Sequence, residues 1–308
     1  MTSIGLVGTG YWAEMIHAPS IAALEGVELR GIWGRNLAER DRIAASAGLH
    51  AFDSFEELVE ACDIVDLAVP PAVQVGLAVT AAEAGRHLLL EKPMALTVPE
   101  AQRVDAALAR SGVAAVVFLT RLFEPVRSAW LREQARAGHT SGHVEWISAA
   151  LTEGSPYADS AWRREGGALW DVGPHIVSQL VAVLGPVANV SVSSHDPVGM
   201  TRFSLLHQDG AMSTVNVTVH GDPAHKTETF EFSGPQGHVR SPDVPLDFPG
   251  SFSVALATLM EQVGRGTPVA DADYSTHANV VLTAVLSTIE ALIHEGRRDT
   301  FVPVESAA

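Results

Sequence analysis

Cysteine is almost absent from this chain of 308 residues, which contains only Cys62. A single cysteine excludes a disulfide within the chain and a metal site built from several thiolates. Basic residues are also few, because 20 lysines and arginines stand against 36 aspartates and glutamates, a formal net charge of −16. Nucleic acids and anionic membranes repel such a chain, so neither is expected as its main partner.

Long hydrophobic runs are missing as well. No stretch reaches the roughly 18 apolar residues of a membrane span. The longest candidate, residues 280–293, is interrupted by Thr283, Ser287, Thr288 and Glu290 and is predicted to be a buried helix. The first ten residues lack the basic segment and cleavage pattern of a secretory signal. These absences predict a soluble, cytoplasmic protein.

The composition fits a folded protein of about two domains, with 47% hydrophobic and 18% charged residues. Over the first third, short apolar runs alternate with stretches that carry apolar residues at helical spacing. Strands that are apolar on both faces and separated by helices are typical of a parallel sheet covered on both sides. We therefore predict an α/β, doubly wound Rossmann domain over residues 1–120. The predicted strands are 4–7, 29–33, 64–69, 87–90 and 114–119, and the helices are 16–24, 37–47, 55–61, 75–84 and 98–111.

The pattern changes after residue 120. Between residues 187 and 239, several segments alternate apolar and polar residues and are separated by turn residues. This alternation predicts an open, mainly antiparallel sheet with one solvated or partner-covered face. With helices near 125–138, 175–184, 252–265 and 276–295, residues 121–308 are expected to form an α+β domain for substrate binding and oligomerisation.

A glycine-rich turn follows the first predicted strand. The letters GLVGTGYWA place Gly8, Gly10 and Ala13 at the spacing G-x-G-x-x-A, between a strand and a helix. The first glycine makes the tight turn, the second lets the backbone approach a pyrophosphate, and the small third residue permits close helix–strand packing. The pattern predicts a dinucleotide site, the alternative being an ordinary tight turn. The residues expected to touch the cofactor here are Gly8, Thr9, Gly10, Tyr11 and Trp12.

The end of the second strand bears on the type of dinucleotide. An NAD site usually has an acidic residue there, but no carboxylate occurs between Arg30 and Ala38. Arg35 can instead pair with the 2′-phosphate of NADP through charge-assisted hydrogen bonds. The alternative is that Arg35 is a solvated surface residue. We predict NADP, with NAD possible, and expect Asn36 and Pro70 beside the same cofactor.

The strand over residues 87–90 ends in Glu91-Lys92-Pro93. In open α/β sheets the ligand binds outside the carboxyl ends of the strands, so Glu91 and Lys92 are both expected to touch the cofactor. A cation there can stabilise negative charge that develops on a substrate hydroxyl. The alternative is a salt bridge between Glu91 and Lys92 or a neighbouring residue.

The stretch GGALWDVGPH places Asp171 four residues before His175. Because proline is tolerated only in the first turn of a helix, Pro174 predicts a helix start near residues 171–173. The positive end of that helix dipole favours a neutral imidazole, which can accept a proton. The alternatives are that Asp171 only caps the helix and that His175 is a satisfied buried histidine.

No metal site is expected. His139 and His143 are also four residues apart, but they lie in a predicted loop with small polar residues and without a third ligand in register. A metal held by Asp171 and His175 would likewise need further ligands that the spacing does not supply.

Three motifs, GTGYWA, AGRHLLLEKPMA and WRREGGALWDVGPH, resemble in their order and spacing those of the Gfo/Idh/MocA family of NAD(P)-dependent oxidoreductases. The resemblance covers essentially the whole chain. It implies hydride transfer between a nicotinamide and a hydroxyl-bearing carbon of a sugar, cyclitol or related polyol. It also implies that Lys92 is the active-site lysine, that Asp171 is the second-motif aspartate and that His175 is the general acid/base. A homodimer or homotetramer formed through the C-terminal sheet is a further implication.

One position departs from the family pattern, because Gln74 stands where the family often has a histidine. Arg121, Trp162 and Arg163 are further candidates for substrate contacts, with surface or interdomain roles as the alternative. A non-catalytic, NADP-binding sensor of the same fold is the main alternative function. A glycosidase that uses bound NAD transiently is the third.

Overall fold

The computed structural model describes residues 1–196, 199–266 and 272–305. The chain forms two compact units, Met1–Glu124 with Leu246–Val280 and Pro125–Pro245 with Val281–Ala308. The sequence-based boundary at residue 120 assigns residues 246–280 to the second domain, whereas their contacts group them with the first unit.

The first part of the chain alternates strands and helices. The strands are β1 (Thr2–Val7), β2 (Val27–Trp33), β3 (His50–Ala51), β4 (Ile64–Leu67), β5 (His87–Glu91) and β6 (Ala115–Phe118). The helices are α1 (Ala18–Ala22), α2 (Leu37–Ala47), α3 (Phe55–Ala61), α4 (Pro71–Glu83), α5 (Val98–Ser111) and α6 (Thr120–Phe123). A five-residue π-helix, Ala13–His17, precedes α1 and was not expected from the sequence.

The remaining elements begin with α7 (Pro125–Gln134), β7 (Ser141–Ile147), α8 (Ala161–Asp171) and α9 (Gly173–Leu184). Five strands follow: β8 (Val187–His195), β9 (Thr201–His207), β10 (Met212–Thr218), β11 (Thr227–Gly234) and β12 (Gly237–Arg240). The chain then forms α10 (Phe248–Arg265), α11 (Thr276–His294) and β13 (Val302–Pro303).

The first unit contains a six-stranded sheet in the order β3-β2-β1-β4-β5-β6, and every pair in it is parallel. The strand order reverses at β1, because β2 and β3 are added on one side of it and β4, β5 and β6 on the other. The crevice at such a switch point is where open α/β sheets bind their ligands. The predicted Rossmann fold is thus confirmed. Helix α10 completes this unit, because Phe252, Leu256 and Leu259 are buried in one cluster with Phe118 of β6 and Ile4 of β1.

The second unit contains a seven-stranded sheet in the order β12-β11-β7-β10-β9-β8-β13, antiparallel except for the β7–β10 pair. Along β7, Val144 and Trp146 are buried, whereas His143, Glu145 and Ile147 on the opposite face are only partly covered. The sheet therefore has one packed and one open face, as the alternation of its strands predicts.

The segment before the Asp171–His175 motif differs from expectation. It forms helix α8, which the sequence did not predict, and its backbone departs from helical geometry at Gly167 (φ 55°, ψ −153°). Only Val172 separates α8 from α9, and its N–H donates to the carbonyl of Ala168. Helix α9 starts at Gly173, close to the predicted position, but it continues from a preceding helix. Its N-terminus is therefore not the isolated positive end that the sequence suggests.

Two helical segments are long and apolar enough to cross a membrane by length and composition alone, Ala161–Leu184 and Thr276–His294. In their most apolar windows, 83% and 50% of the residues are buried inside the protein. Core helices of folded proteins have the same composition, so these segments are weak evidence for a membrane span.

Candidate active site

The glycine turn after β1 has two glycines with different environments. Gly8 has a φ of +133°, and a Cβ added there would lie 2.3 Å from the carbonyl oxygen of Ala68. A Cβ at Gly10 would meet no atom within 4 Å. The fold therefore requires Gly8, whereas Gly10 presents its backbone to open space. A bare backbone facing open space fits the close approach of a pyrophosphate.

A groove of about 430 Å³ begins at this turn and lies along the carboxyl ends of β1, β2 and β4. Six of the predicted cofactor residues line it: Gly8, Thr9, Gly10, Arg35, Asn36 and Pro70. Tyr11 and Trp12 are not among the lining residues. Tyr11 is 44% exposed, and the Trp12 ring packs edge-on against Phe248 of α10. The described residues thus fit a dinucleotide by shape and by the exposed Arg35 at the groove.

Glu39, the first acidic residue after β2, forms an ion pair with Arg42. Arg42 donates from Nε to Glu39 Oε2 at 2.8 Å and from its two Nη atoms to Glu14 at 2.8 and 2.7 Å. The Asn36 side chain caps α2 by accepting from the Glu39 N–H. Glu39 is therefore engaged in an ion pair close to the start of α2, which fits the lack of a ribose-binding acid in the sequence.

Lys92 follows β5 in a turn that is tied to α4. It is 8% exposed, and its bond to Pro93 is cis. The fully buried Gln74 accepts the Glu91 N–H at 2.9 Å and donates to the Glu91 carbonyl at 2.7 Å. The same amide lies within 3.3 Å of the Pro93 and Met94 carbonyls. Gln74, which departs from the family pattern, therefore holds the backbone of this turn.

Sequence reasoning missed a buried histidine next to this turn. His17, at the end of the π-helix, is fully buried with Nδ1 2.8 Å from Asp66 Oδ2 and Nε2 3.1 Å from Glu91 Oε1. Burial by itself lowers the pKa of His17, but Asp66 and Glu91 outweigh it and raise the pKa to about 10. Burial also raises the pKa of Asp66 against the opposing effect of His17. Because both ring nitrogens face carboxylate oxygens, the geometry favours the protonated imidazole.

This histidine should make stability fall at alkaline pH. Its pKa is above the ordinary value of 6.5 in the folded state, so the stabilisation is complete below pH 6.5 and is lost as the pH rises to about 10. We expect the free energy of unfolding to fall by up to about 1.4 kcal/mol per pH unit in this window. Urea unfolding at a series of pH values measures the slope of the free energy of unfolding against pH. Asp66→Asn should show a shallower slope, and equal slopes in both proteins would contradict the assignment.

Asp171 is the last residue of α8 and pairs with an arginine of the same helix. Arg163 Nε donates to Asp171 Oδ1 at 2.9 Å, with both side chains largely buried. The Arg163 guanidinium also lies over the rings of Tyr157 and Trp162, 4.7 and 4.5 Å from their centroids. Helix α9 has no side-chain cap at its N-cap residue Val172. Asp171 is therefore an ion-paired carboxylate, not the cap of α9.

His175 lies in the first turn of α9 and is 8% exposed. Its ring stacks on Trp146 of β7, with centroids 6.1 Å apart and planes at 21°. The fully buried Gln179 donates to the His175 carbonyl at 2.8 Å, and Arg127 Nη1 lies 3.4 Å from the Gln179 oxygen. Arg127 and Gln179 are two further residues that the sequence did not reveal, because helical periodicity shows burial but not hydrogen-bond partners.

The predicted site residues fall into groups within each unit. The first unit brings six cofactor residues together at the groove, and Glu91 and Lys92 in one turn at the end of β5. Arg121, on α6 of the same unit, is 8% exposed. The second unit brings Asp171 together with Arg163 and Trp162 and places His175 four residues later. In the part of the chain that the structure describes, no group of three or more His, Cys, Asp or Glu residues can hold a metal ion.

Comparisons with known proteins agree with this architecture. A family model described as an oxidoreductase family with an NAD-binding Rossmann fold matches residues 2–119. A second, the GFO/IDH/MocA C-terminal domain, matches residues 131–240. Levoglucosan dehydrogenase in complex with NADH and L-sorbose has a TM-score of 0.85 at 16% identity, covering 99% of each chain. That structural likeness supports the fold.

Curated relatives include scyllo-inositol 2-dehydrogenase (NADP(+)) IolU of Bacillus subtilis (strain 168), 23% identical over 297 residues. That match covers 85% of this chain and 89% of the relative. Uncharacterized oxidoreductase YdgJ of Escherichia coli (strain K12) is 27% identical over 224 residues, which are 68% of this chain but only 59% of the relative. With both family models matched in order, the chain belongs to the Gfo/Idh/MocA family of oxidoreductases.

Proposed function

We propose that this protein transfers a hydride between NADP(H) and a hydroxyl-bearing carbon of a sugar, cyclitol or related polyol. The observation that carries the proposal is the groove that is lined by both the bare backbone of Gly10 and the exposed side chain of Arg35. A relative named as an NADP(+)-linked inositol dehydrogenase supports both cofactor and substrate class. NAD is the alternative cofactor, since levoglucosan dehydrogenase was solved with NADH.

The residues of the groove would bind the cofactor in the proposed reaction. Thr9 and Gly10 would hold the pyrophosphate through backbone N–H groups, while Gly8, whose N–H donates to the Trp33 carbonyl, makes the tight turn. Arg35 would pair with the 2′-phosphate. The bound nicotinamide would supply the hydride acceptor or donor.

In the proposed reaction, His175 takes the hydroxyl proton during oxidation and returns it during reduction. Lys92 stabilises the negative charge that develops on the same oxygen. Asp171, fixed by Arg163, orients the imidazole or holds a substrate hydroxyl.

The deciding experiment is reduced-nicotinamide absorbance with purified protein, with NADP and NAD in parallel and a panel of sugars, inositols and sugar acids. The double variant Lys92→Ala, His175→Ala serves as the blank. Turnover that the blank lacks supports the proposal and identifies the substrate class. NADPH binding without turnover on the whole panel favours the sensor alternative.

Arg35→Ala should change the cofactor preference. Loss of a charge-assisted pair to the 2′-phosphate should raise the dissociation constant of NADPH by about tenfold or more, and that of NADH by less than about threefold. Fluorescence titration measures both constants. Arg30→Ala, which removes a half-exposed arginine of β2, is the matched control. An equal loss for both cofactors would contradict the 2′-phosphate role.

We also propose a cytoplasmic homodimer or homotetramer assembled through the open face of the second unit's sheet. The partly covered side chains of His143, Glu145 and Ile147 on that face support this assembly. Light scattering should give two or four times the chain mass of 32.6 kDa. A mass of one chain would exclude the assembly.

A further inference from the structure

His17 connects two neighbouring strands of the parallel sheet. Its Nδ1 faces Asp66 at the end of β4, and its Nε2 faces Glu91 at the end of β5. Aromatic rings cover the imidazole on other sides, with the centroids of Phe118 and Phe252 at 6.1 and 4.6 Å. Among the described residues, Asp66 and Glu91 are the charged groups that influence His17. The imidazole is therefore enclosed by two acids and two rings.

The second carboxylate oxygen of Glu91 forms a hydrogen bond with the backbone of Lys92. Glu91 Oε2 accepts the backbone N–H of Lys92 at 3.0 Å, while Oε1 faces His17. The Glu91 side chain is only 13% exposed, so its carboxylate needs a charged or hydrogen-bonded partner. One carboxylate thus links the ring of His17 to the backbone nitrogen of Lys92.

The turn is consequently held from two directions. Gln74 binds the N–H and carbonyl of Glu91 through a neutral amide. His17 binds the Glu91 side chain through a charged ring that Asp66 fixes from the other side. A buried charged group whose polar contacts are all satisfied has little freedom to move, and it fixes the groups bonded to it.

We propose that His17 is a positioning residue for Lys92, acting through the carboxylate of Glu91. This inference rests on the proposed function, in which Lys92 stabilises charge on the substrate. Without the imidazole, the Glu91 carboxylate would be left partly buried beside Asp66 with no cation between them. It would then move towards water and give up the Lys92 N–H.

The lysine content makes this testable in the full chain, because Lys92 and Lys226 are the only lysines among its 308 residues. Labelling with ¹⁵N-lysine therefore gives two backbone amide signals, and the exposed Lys226 is an internal reference. His17→Gln should shift the Lys92 signal and speed its hydrogen exchange by about tenfold or more, leaving Lys226 unchanged. His50→Gln, the same change at an exposed histidine of the same unit, should alter neither signal.

A second variant covers the case in which His17→Gln does not fold. In the wild-type protein the Lys92 amide shift should be flat from about pH 6 to 9, because His17 stays protonated. Asp66→Asn removes the main group that keeps His17 protonated, so the Lys92 shift should follow the His17 ring through a titration in this range. The proposal is overturned if the Lys92 shift stays constant while the His17 ring titrates in Asp66→Asn. It is also overturned if the Lys92 signal is unchanged in folded His17→Gln.

None of these measurements needs turnover, so they stand apart from the test of the proposed function. Once a substrate is known, His17→Gln should lower kcat by about tenfold or more and leave the KM for the dinucleotide within about twofold. A raised KM with unchanged kcat would indicate a general loss of structure in the unit and would contradict positioning of Lys92.

Discussion

Replacing His175 with asparagine is expected to lower turnover by about 10²- to 10⁴-fold, the usual contribution of a general acid/base. Asparagine retains polar atoms and fits the space beside Trp146, but it cannot accept the hydroxyl proton. The dissociation constant of NADPH should stay within about twofold, because the groove at Gly10 and Arg35 belongs to the first unit. Steady-state kinetics and fluorescence titration measure the two quantities.

His225→Asn is the control for this variant, since it makes the same change at an exposed histidine of the second unit. It should leave both turnover and NADPH binding unchanged. If His175→Asn retains turnover within about threefold of wild type, His175 is not the acid/base. The remaining explanation would then be that it is a packed histidine, stacked on Trp146 and fixed by Gln179.

Gly10→Ala should abolish tight cofactor binding without harming the fold. The added methyl group would meet no protein atom within 4 Å, so the melting temperature should stay within a few degrees of wild type. The same methyl group would occupy space needed for the pyrophosphate, and we expect the dissociation constant of NADPH to rise by about 100-fold. Wild-type affinity in this variant would exclude the groove as the dinucleotide site.

Gly8→Ala is the informative partner of that variant. Its Cβ would lie 2.3 Å from the Ala68 carbonyl oxygen, at a φ of +133° that L-residues rarely adopt. We expect the free energy of unfolding to fall by about 2–4 kcal/mol, through backbone strain and the displacement of β4 from β1. Thermal and urea unfolding of the two variants therefore distinguish a glycine that the fold needs from one that a ligand needs.

The Rossmann sheet could be predicted because its signal is local. Residues 64–69 and 87–90 are short, mostly apolar runs, and they correspond to β4 and β5. Helix α10 has an equally clear helical pattern, but the sequence does not show which unit it packs against. Its contacts with β6 join residues more than 100 positions apart, which periodicity cannot detect.

The candidate site also contains residues whose partners the sequence pattern does not reveal. The motif residues Lys92, Asp171 and His175 could be named from the sequence, whereas His17 and Gln74 could not. Each of the last two lies in an apolar stretch, and a buried polar residue signals only that some partner exists. Helix α8 was missed because Gly166 and Gly167 are typical of a loop, and the positive φ of Gly167 does interrupt the helix.

The return of α10 to the first unit has a consequence for synthesis and for engineering. The ribosome must release some 265 residues before Phe252, Leu256 and Leu259 can cover the sheet beside Phe118. Until then the nascent Rossmann domain exposes an apolar surface to the cell. A fragment ending at Glu124 would carry this exposed surface permanently and be prone to aggregate. A transplantable nucleotide-binding module from this protein therefore has to include residues 246–280, joined through a new linker.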